Sequence, residues 1–296
     1  MDCVIETFSL CKEYGPKKAV DEMNVHVKKG DIYGLIGKNG AGKTTLLKLL
    51  LGLVSPTSGK MRILGSDDLD KVRPKIGSLI EAPALYKNET AYENMKRFCI
   101  LNGEPFSSIG ELLRLVGLGD VGKKKVKAFS LGMKQRLGIA VALIGNPEIL
   151  ILDEPINGLD PAGIKDIRDT ILDLNKKGVT FIISSHLLDE LGKIATEYGI
   201  ISNGVLVEEI SAEDLQAKCR VSLTFKTDDG EKTAELLGKR FPELSVRYSG
   251  AETFIESEVK DPSVLNKFLV ESGVKVYEMT ASGGDFEQFF IDRLGK

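Results

Sequence analysis

The sequence predicts an α/β fold: a parallel-sheet core with an inserted helical subdomain, followed by a small C-terminal α+β domain. Three observations predict this organisation. Apolar, β-branched runs alternate with helical patterns over residues 1–210, as expected of βαβ units. Helical patterns with little strand character interrupt this alternation over about residues 82–145. Over residues 211–296 the pattern changes to short elements in the order βαββαβ.

Short apolar runs predict the strands of the core. The runs at 149–153 and 179–185 are almost continuously apolar, as expected of strands buried on both faces of a parallel sheet. Between them, apolar residues recur at helical spacing over 161–177, and Gly178 marks the C-terminal end of the predicted helix. This segment is therefore predicted to be a βαβ crossover. Further strands are predicted at 4–10, 32–37 and 76–80.

Two helical regions are predicted between the strands 76–80 and 149–153. They cover residues 90–118 and 131–144. Because they lie between strands of one sheet, we expect them to form a subdomain inserted in the core.

The C-terminal elements follow the split βαβ order, which is the order of ferredoxin-like domains. Two interpretations stay open for this domain, since it contains no chemical motif: a regulatory domain, or a dimer-stabilising or merely structural extension. The predicted strands are 221–227, 245–248, 253–259 and 275–280, and the predicted helices are 231–241, 262–272 and 285–294.

Composition excludes several classes of protein. Lys and Arg number 40 and Asp and Glu 43, which gives a net charge of −3 and no electrostatic case for nucleic-acid binding. No apolar run approaches the roughly 18–20 residues that span a bilayer, and no signal peptide is evident, so we expect a cytoplasmic protein. The four cysteines form no CxxC pair, which argues against a disulfide framework or a cysteine metal site.

A glycine-rich loop matches the pattern G-x-x-x-x-G-K-[ST]. It follows a predicted strand and precedes a predicted helix, which is the context of a phosphate-binding P-loop. Its backbone N–H groups and the helix N-terminus would bind phosphate, Lys43 would reach the β- and γ-phosphates, and the Thr44 hydroxyl would ligate Mg²⁺. The candidate nucleotide-binding residues are Gly37, Asn39, Gly40, Ala41, Gly42, Lys43, Thr44 and Thr45.

Two carboxylates end the apolar strand at 149–153. Acidic groups at the carboxyl end of a parallel strand face the crevice where ligands bind. Asp153 is placed to hold Mg²⁺, as the Walker-B aspartate does. Glu154 is the candidate base that orients and deprotonates the attacking water.

The segment Phe129-Ser-Leu-Gly-Met-Lys-Gln-Arg136 resembles the signature of ATP-binding-cassette (ABC) ATPases, a branch of the P-loop NTPases. Ser130 and Gly132 match that signature, whereas Leu131 replaces its first glycine and Met133 its glutamine. In the family this loop faces the γ-phosphate held by the other protomer. The resemblance therefore implies ATP as the nucleotide and a head-to-tail dimer, with a second copy of this chain as the expected partner.

Three further positions agree with the family. Asp160, in Asn-Gly-Leu-Asp, resembles the D-loop that lines the dimer seam. His186 ends the next strand and resembles the switch histidine that contacts the γ-phosphate. Tyr14 lies where the family stacks an aromatic ring on adenine, an interaction that needs no hydrogen-bond partner.

Glu81 departs from the family, which usually has glutamine at this position. A carboxylate keeps an oxygen for Mg²⁺ or its water but adds a negative charge. The segment Ile-Glu-Ala-Pro-Ala-Leu-Tyr around Glu81, together with the signature segment, resembles the bacitracin and lantibiotic-immunity branch, which is known for a glutamate here.

The resemblance implies an ATPase subunit, peripheral on the inner face of the cell membrane, that powers a separate integral-membrane permease. For this branch, the implied process is export of peptide antibiotics or immunity to them. The alternative is a soluble ABC ATPase that acts on ribosomes or DNA, but the chain has one phosphate loop and no sustained heptads. A GTPase or small-molecule kinase would have no signature segment.

Overall fold

A computed structural model describes residues 3–218, 222–255, 259, 261–282, 289–290 and 293. These residues divide into two units. The first unit contains the chain up to Ala212 together with Phe290 and Arg293, and the second runs from Glu213 to Phe289. Within the described residues, no helix is long and apolar enough to cross a membrane.

Strands and helices alternate in the first unit. Its described strands are β1 (Cys3–Tyr14), β2 (Lys17–Met23), β3 (His26–Lys28), β4 (Ile32–Ile36), β5 (Ser58–Ile63), β6 (Ile76–Leu79), β7 (Ile149–Asp153), β8 (Thr180–Ser185), β9 (Glu197–Ser202) and β10 (Val205–Ser211). Its described helices are α1 (Lys43–Leu50), α2 (Leu69–Val72), α3 (Ala91–Asn102), α4 (Ile109–Leu115), α5 (Leu131–Ala142), α6 (Pro161–Lys176) and α7 (Leu188–Leu191).

A sheet of six strands, in the order β10-β9-β4-β8-β7-β6, forms the centre of the first unit. Neighbouring strands are parallel except β10, which pairs antiparallel with β9. Every residue of β4, β7 and β8 is buried, which explains their continuous apolar sequences. Because β8 lies between β4 and β7, the segments that follow these three strands meet at one edge of the sheet. A second, antiparallel sheet contains β1, β2, β3 and β5.

Local sequence sets the ends of the main helices. Asp160 caps α6 through a hydrogen bond that its Oδ1 accepts from the Gly163 N–H (3.0 Å), and Pro161 occupies the first turn. Gly178, at φ +95°, follows the end of this helix. A buried face that includes Ile167, Ile171 and Leu174 holds α6 in place, so the predicted crossover helix is present.

The segment predicted to form an inserted helical subdomain, at about 82–145, contains α3, α4 and α5. The helical region predicted over 90–118 contains two helices, α3 and α4. Gly103, at φ +69°, ends α3, and a short 3₁₀ turn at Phe106–Ser108 precedes α4. At its other end, α3 begins with a capping box in which Thr90 and Glu93 satisfy each other's backbone N–H groups.

The second unit is an antiparallel sheet covered by helices. Its described elements are α8 (Ala212–Lys218), which begins at the boundary, β11 (Ser222–Thr227), α9 (Gly230–Arg240), β12 (Val246–Ser249), β13 (Glu252–Ile255), α10 (Pro262–Glu271) and β14 (Val276–Ser282). The strand order is β12-β13-β11-β14, and every pair is antiparallel. Leu223, Phe225, Leu237, Ile255 and Leu269 form its core. The order of elements is that of a split βαβ fold.

Phe290 and Arg293 belong to the first unit, although the sequence-based division placed all of 211–296 in one domain. The Phe290 ring packs on Tyr198 with 5.9 Å between ring centroids, and Arg293 Nε lies 2.8 Å from Glu208 Oε2. Parts of three predicted elements lie outside the described residues: 221, 256–258, and most of the helix 285–294.

Candidate nucleotide-binding site

The glycine-rich loop connects the carboxyl end of β4 to the first turn of α1. Gly40 has φ +81° and Gly42 φ +115°, both in the left-handed region that favours glycine. A Cβ on Gly42 would lie 2.3 Å from the Ala19 carbonyl oxygen, and one on Gly37 would lie 2.5 Å from that of Ile201. Backbone conformation and close packing therefore both require glycine in this loop.

The Lys43 side chain is buried and lies against the loop. Its Nζ donates a hydrogen bond to the Gly37 carbonyl oxygen (2.6 Å) and lies 3.7 Å from Oε1 of Glu154. The ammonium group is thus held between the phosphate loop and the carboxylate that follows β7.

Asp153 is fixed by two hydroxyl groups. Thr44 Oγ1 donates to Oδ2 (2.8 Å), and Ser184 Oγ donates to Oδ1. The carboxylate is 4% exposed. A hydroxyl and a carboxylate in contact offer the hard oxygen atoms that Mg²⁺ prefers.

Glu154 lies between Lys43 and His186. Its φ is +50°, which is uncommon for a residue with a side chain and is typical of strained functional sites. The Glu154 N–H donates to the carbonyl oxygen (3.1 Å) and Oγ (3.0 Å) of Ser184. Its Oε2 lies 2.7 Å from Nδ1 of His186. The base predicted from sequence and the predicted switch histidine are therefore in direct contact.

A pocket of about 300 Å³ opens at this edge of the sheet. Its volume is at the lower end of the range for small-molecule sites. Tyr14, 49% exposed at the end of β1, lies at this pocket, and Lys12 Nζ lies 5.1 Å from the centroid of its ring. The lining residues are Tyr14, Lys17, Ala19, Lys38, Asn39, Gly40, Gly42, Lys43, Thr44, Thr45 and Glu154. Ala41 is buried in the core cluster instead.

Glu81 lies just beyond β6 and pairs with α1. Lys48 Nζ lies 2.8 Å from Glu81 Oε1. This hydrogen bond and the positive charge of Lys48 lower the pKa of the Glu81 carboxyl group. The backbone at Glu81 has φ +61°, so both Glu81 and Glu154 have left-handed backbones.

Eight predicted site residues do not line this pocket: Gly37, Ala41, Glu81, Asp153, His186, Ser130, Gly132 and Asp160. Gly37, Asp153 and His186 nevertheless contact pocket residues through the hydrogen bonds described above. Ser130 caps α5, and its Oγ accepts a hydrogen bond from the Met133 N–H (3.2 Å). Asp160 caps α6. A Cβ on Gly132 would meet Leu159 at 3.7 Å, an ordinary contact, so packing within the described chain does not require glycine there.

Sequence reasoning missed three polar contributors to the site. Ser184 contacts both Asp153 and Glu154, and Lys17 and Lys38 line the pocket. The signal for Ser184 was its position two residues before His186, at the end of a buried strand. The signal for Lys38 was its place inside the glycine-rich motif.

The phosphate loop, its lysine and the acidic residue ending β7 define a P-loop nucleoside triphosphatase. The family described as ABC transporter matches residues 20–157. The bacitracin transport ATP-binding protein BcrA of Bacillus licheniformis is 43% identical over 302 residues, covering 100% of this chain and 98% of that protein. This chain belongs to the ATP-binding proteins of ABC transporters.

Other relatives agree with this assignment. The lantibiotic transport ATP-binding protein SrtF of Streptococcus pyogenes is 49% identical over 201 residues, covering 68% of this chain and 88% of that protein. The structure of an ABC-transporter cassette in its ADP conformation has a TM-score of 0.66 at 26% identity, covering 72% of this chain and 93% of that one. A dimeric cassette bound to ADP and phosphate has a TM-score of 0.63 at 25% identity, covering 70% and 98%. The predictions of an ABC ATPase fold and of ATP hydrolysis are confirmed.

Proposed function

We propose that this chain hydrolyses Mg·ATP to power a separate permease that exports, or confers immunity to, a peptide antibiotic of the bacitracin class. One observation carries the choice of cargo: the similarity to the bacitracin protein of Bacillus licheniformis covers 100% of this chain, including the second unit. The similarity to the lantibiotic protein covers only 68%.

The donor atoms beside the phosphate loop fit Mg²⁺. Among the described residues, no group of three or more His, Cys, Asp or Glu side chains could hold a metal ion alone. Mg²⁺ in nucleotide sites is held by one or two protein oxygens together with phosphates and waters. The Thr44 hydroxyl and the Asp153 carboxylate would supply those oxygens, with Glu81 as a further oxygen donor. Bound there, the ion would offset the negative charge of the phosphates.

Three side chains would take part in hydrolysis. Lys43, held at the loop by its hydrogen bond to the Gly37 carbonyl oxygen, would donate to the β- and γ-phosphates. The Glu154 carboxylate accepts a proton from water and orients the water for attack. His186, in contact with Glu154, would steady that carboxylate and contact the γ-phosphate. Tyr14, at the pocket, offers its ring to adenine.

A head-to-tail dimer would complete the site. Ser130 and Gly132 begin α5, whose free N–H groups form an anion-binding end, yet neither residue lines the pocket of its own chain. Leu131 between them is 47% exposed. We infer that this helix end and the Asp160 segment face the nucleotide held by a second subunit. The permease would hold the pair at the inner face of the membrane.

Resistance in the native host tests this function. The gene is deleted and replaced by the parent sequence, by Glu154→Gln, or by the matched surface change Glu148→Gln, which removes only the pairing of Glu148 with Lys75. We expect Glu154→Gln to bind ATP but to lose about 100- to 10,000-fold in turnover, since it removes a general base. Bacitracin resistance should therefore be lower in the strain that carries Glu154→Gln, whereas Glu148→Gln should restore resistance fully.

Each assay can contradict one part of the proposal. Normal turnover by Glu154→Gln would remove Glu154 as the base. Unchanged bacitracin resistance in the deletion strain would reject the cargo and leave the ATPase intact. Purification from solubilised membranes then tests the partner: recovery with ribosomes or nucleic acid, without a multi-span membrane protein, would reject the permease.

A further inference from the structure

An ion pair joins the helix that begins at the phosphate loop to the segment that follows β6. Lys48 lies in the last turn of α1, the helix that begins at the phosphate loop. Glu81 lies two residues beyond the end of β6, where the chain leaves the sheet toward α3. The distance from Lys48 Nζ to Glu81 Oε1 is 2.8 Å, and the described residues include no second ion pair for either side chain.

The lysine is the better anchored partner. The Lys48 carbonyl oxygen accepts hydrogen bonds from the N–H groups of Leu53 (2.9 Å) and Val54 (3.4 Å), which fixes the end of α1. Its side chain is 33% exposed, whereas that of Glu81 is 69% exposed. Glu81 also has φ +61°, a conformation that persists only where neighbouring contacts hold it.

Lys48 lies among negatively charged groups, which indicates what the ion pair does. Hydrogen bonding to Glu81 raises the pKa of Lys48, and the charge of Asp153 adds a smaller contribution. Lys48 is therefore within electrostatic range of both Glu81 and the carboxylate beside the phosphate loop. Without Lys48, the Glu81 carboxylate would have no ion-pair partner among the described residues, and its negative charge would disfavour the binding of a polyanion.

We propose that Lys48 is a positioning residue for Glu81. The ion pair holds the Glu81 carboxylate against the end of α1 and offsets its charge while ATP binds. In this way it also ties the helix of the phosphate loop to the segment that enters the helical subdomain. The inference rests on the proposed nucleotide site.

A double-mutant cycle on the full chain tests the pairing. Lys48→Met, Glu81→Gln and the double variant are compared for ATP affinity by competition with trinitrophenyl-ATP. Lys48→Met should weaken ATP binding about two- to five-fold, the range expected for a partly exposed ion pair. The same change should have little effect in the Glu81→Gln background, because the carboxylate that needed compensation is gone. Lys48→Arg should preserve parental affinity.

Two control variants distinguish a failure of this inference from a failure of the proposed nucleotide site. Lys71→Met removes another exposed lysine, which pairs with Asp68 at the N-cap of its own helix, and it should leave ATP affinity unchanged. Equal effects of Lys48→Met in both backgrounds would show that Lys48 attracts phosphate directly, and no effect in either would also reject positioning. Unchanged affinity in Lys43→Ala would instead contradict the proposed nucleotide site.

Discussion

A single serine, Ser184, forms hydrogen bonds with both acidic residues of the site. It is fully buried in β8, directly beside Asp153 of β7 in the strand register. Its hydroxyl donates to Asp153 and accepts from the Glu154 N–H. One hydroxyl group therefore orients both the candidate metal ligand and the candidate base.

Removing that hydroxyl should weaken metal binding. We expect Ser184→Ala to lower the apparent Mg²⁺ affinity about 10- to 100-fold, the usual effect of losing a residue that orients a ligand. The apparent Mg²⁺ affinity is obtained from the rate of ATP hydrolysis, measured over a range of Mg²⁺ concentrations at fixed ATP. Ser185→Ala is the matched control, because its Oγ accepts only the Leu187 N–H among the recorded bonds. Similar losses in both variants would mean that general strand damage, not orientation, is responsible.

The site was predictable where its residues are close in sequence. Gly37 to Thr44 and the pair Asp153–Glu154 each lie in one short segment with a recognisable pattern. Ser184 was missed because its role depends on the pairing of β7 with β8, which local sequence does not specify. Lys48 was missed for a similar reason, since its partner Glu81 is distant along the chain.

At the scale of elements, the start of α3 has a titratable cap. Hydrogen bonds from the backbone and side chain of Thr90 lower the pKa of Glu93. A carboxyl group whose pKa is lower in the folded state stabilises the fold above its ordinary value of 4.5, and this stabilisation is lost as the pH falls through the folded value.

The cap therefore predicts a pH-dependent effect of Glu93→Gln. Thermal unfolding should show a lower Tm than the parent at pH 7, and the difference should shrink below pH 4.5 as the parental carboxylate gains its proton. The change Glu111→Gln, in the first turn of α4, which lacks a side-chain cap, provides the comparison. An effect of Glu93→Gln that is equal at both pH values would contradict an ionic cap.

Continuous burial made three strands of the central sheet predictable from sequence. The strands β4, β7 and β8 are buried along their whole length, so continuous apolar sequence identified them. By contrast, β2 contains exposed charged residues (Lys17, Lys18 and Glu22), β10 exposes Val205 and Val207, and no strand was predicted for either. The break between α3 and α4 follows from the left-handed Gly103, whose conformation a helical pattern does not reveal.

At the scale of the whole molecule, the first unit is discontinuous in sequence. Phe290 is fully buried in this unit, against Tyr198. Truncation after Ser211 should therefore damage the ATPase unit, whereas replacing 213–289 by a flexible Gly/Ser linker should preserve it. Phe290→Ala in the intact chain should cost about 3–5 kcal/mol of folding free energy, a typical value for a buried aromatic side chain.

Thermal unfolding measures the stability of these variants, and an ATP-binding assay shows whether the first unit keeps its function. Val270→Ala, an exposed apolar residue of α10, is the control for loss of apolar side-chain volume and should unfold at the parental Tm. A truncated chain as stable as the linker variant would show that the C-terminal residues contribute nothing to the first unit. The local sequence could not predict this contact, since nothing around residue 290 identifies a partner near residue 198.

The return of the chain to the first unit has a consequence for proteolysis. A single cut in an exposed loop of the second unit, such as the turn at Gly250, would separate two fragments that each retain residues packed in the first unit. Nicked protein should therefore elute as one species under native conditions and as two bands after denaturation. A lost fragment would be recovered only when a second cut freed the segment between the two attachments.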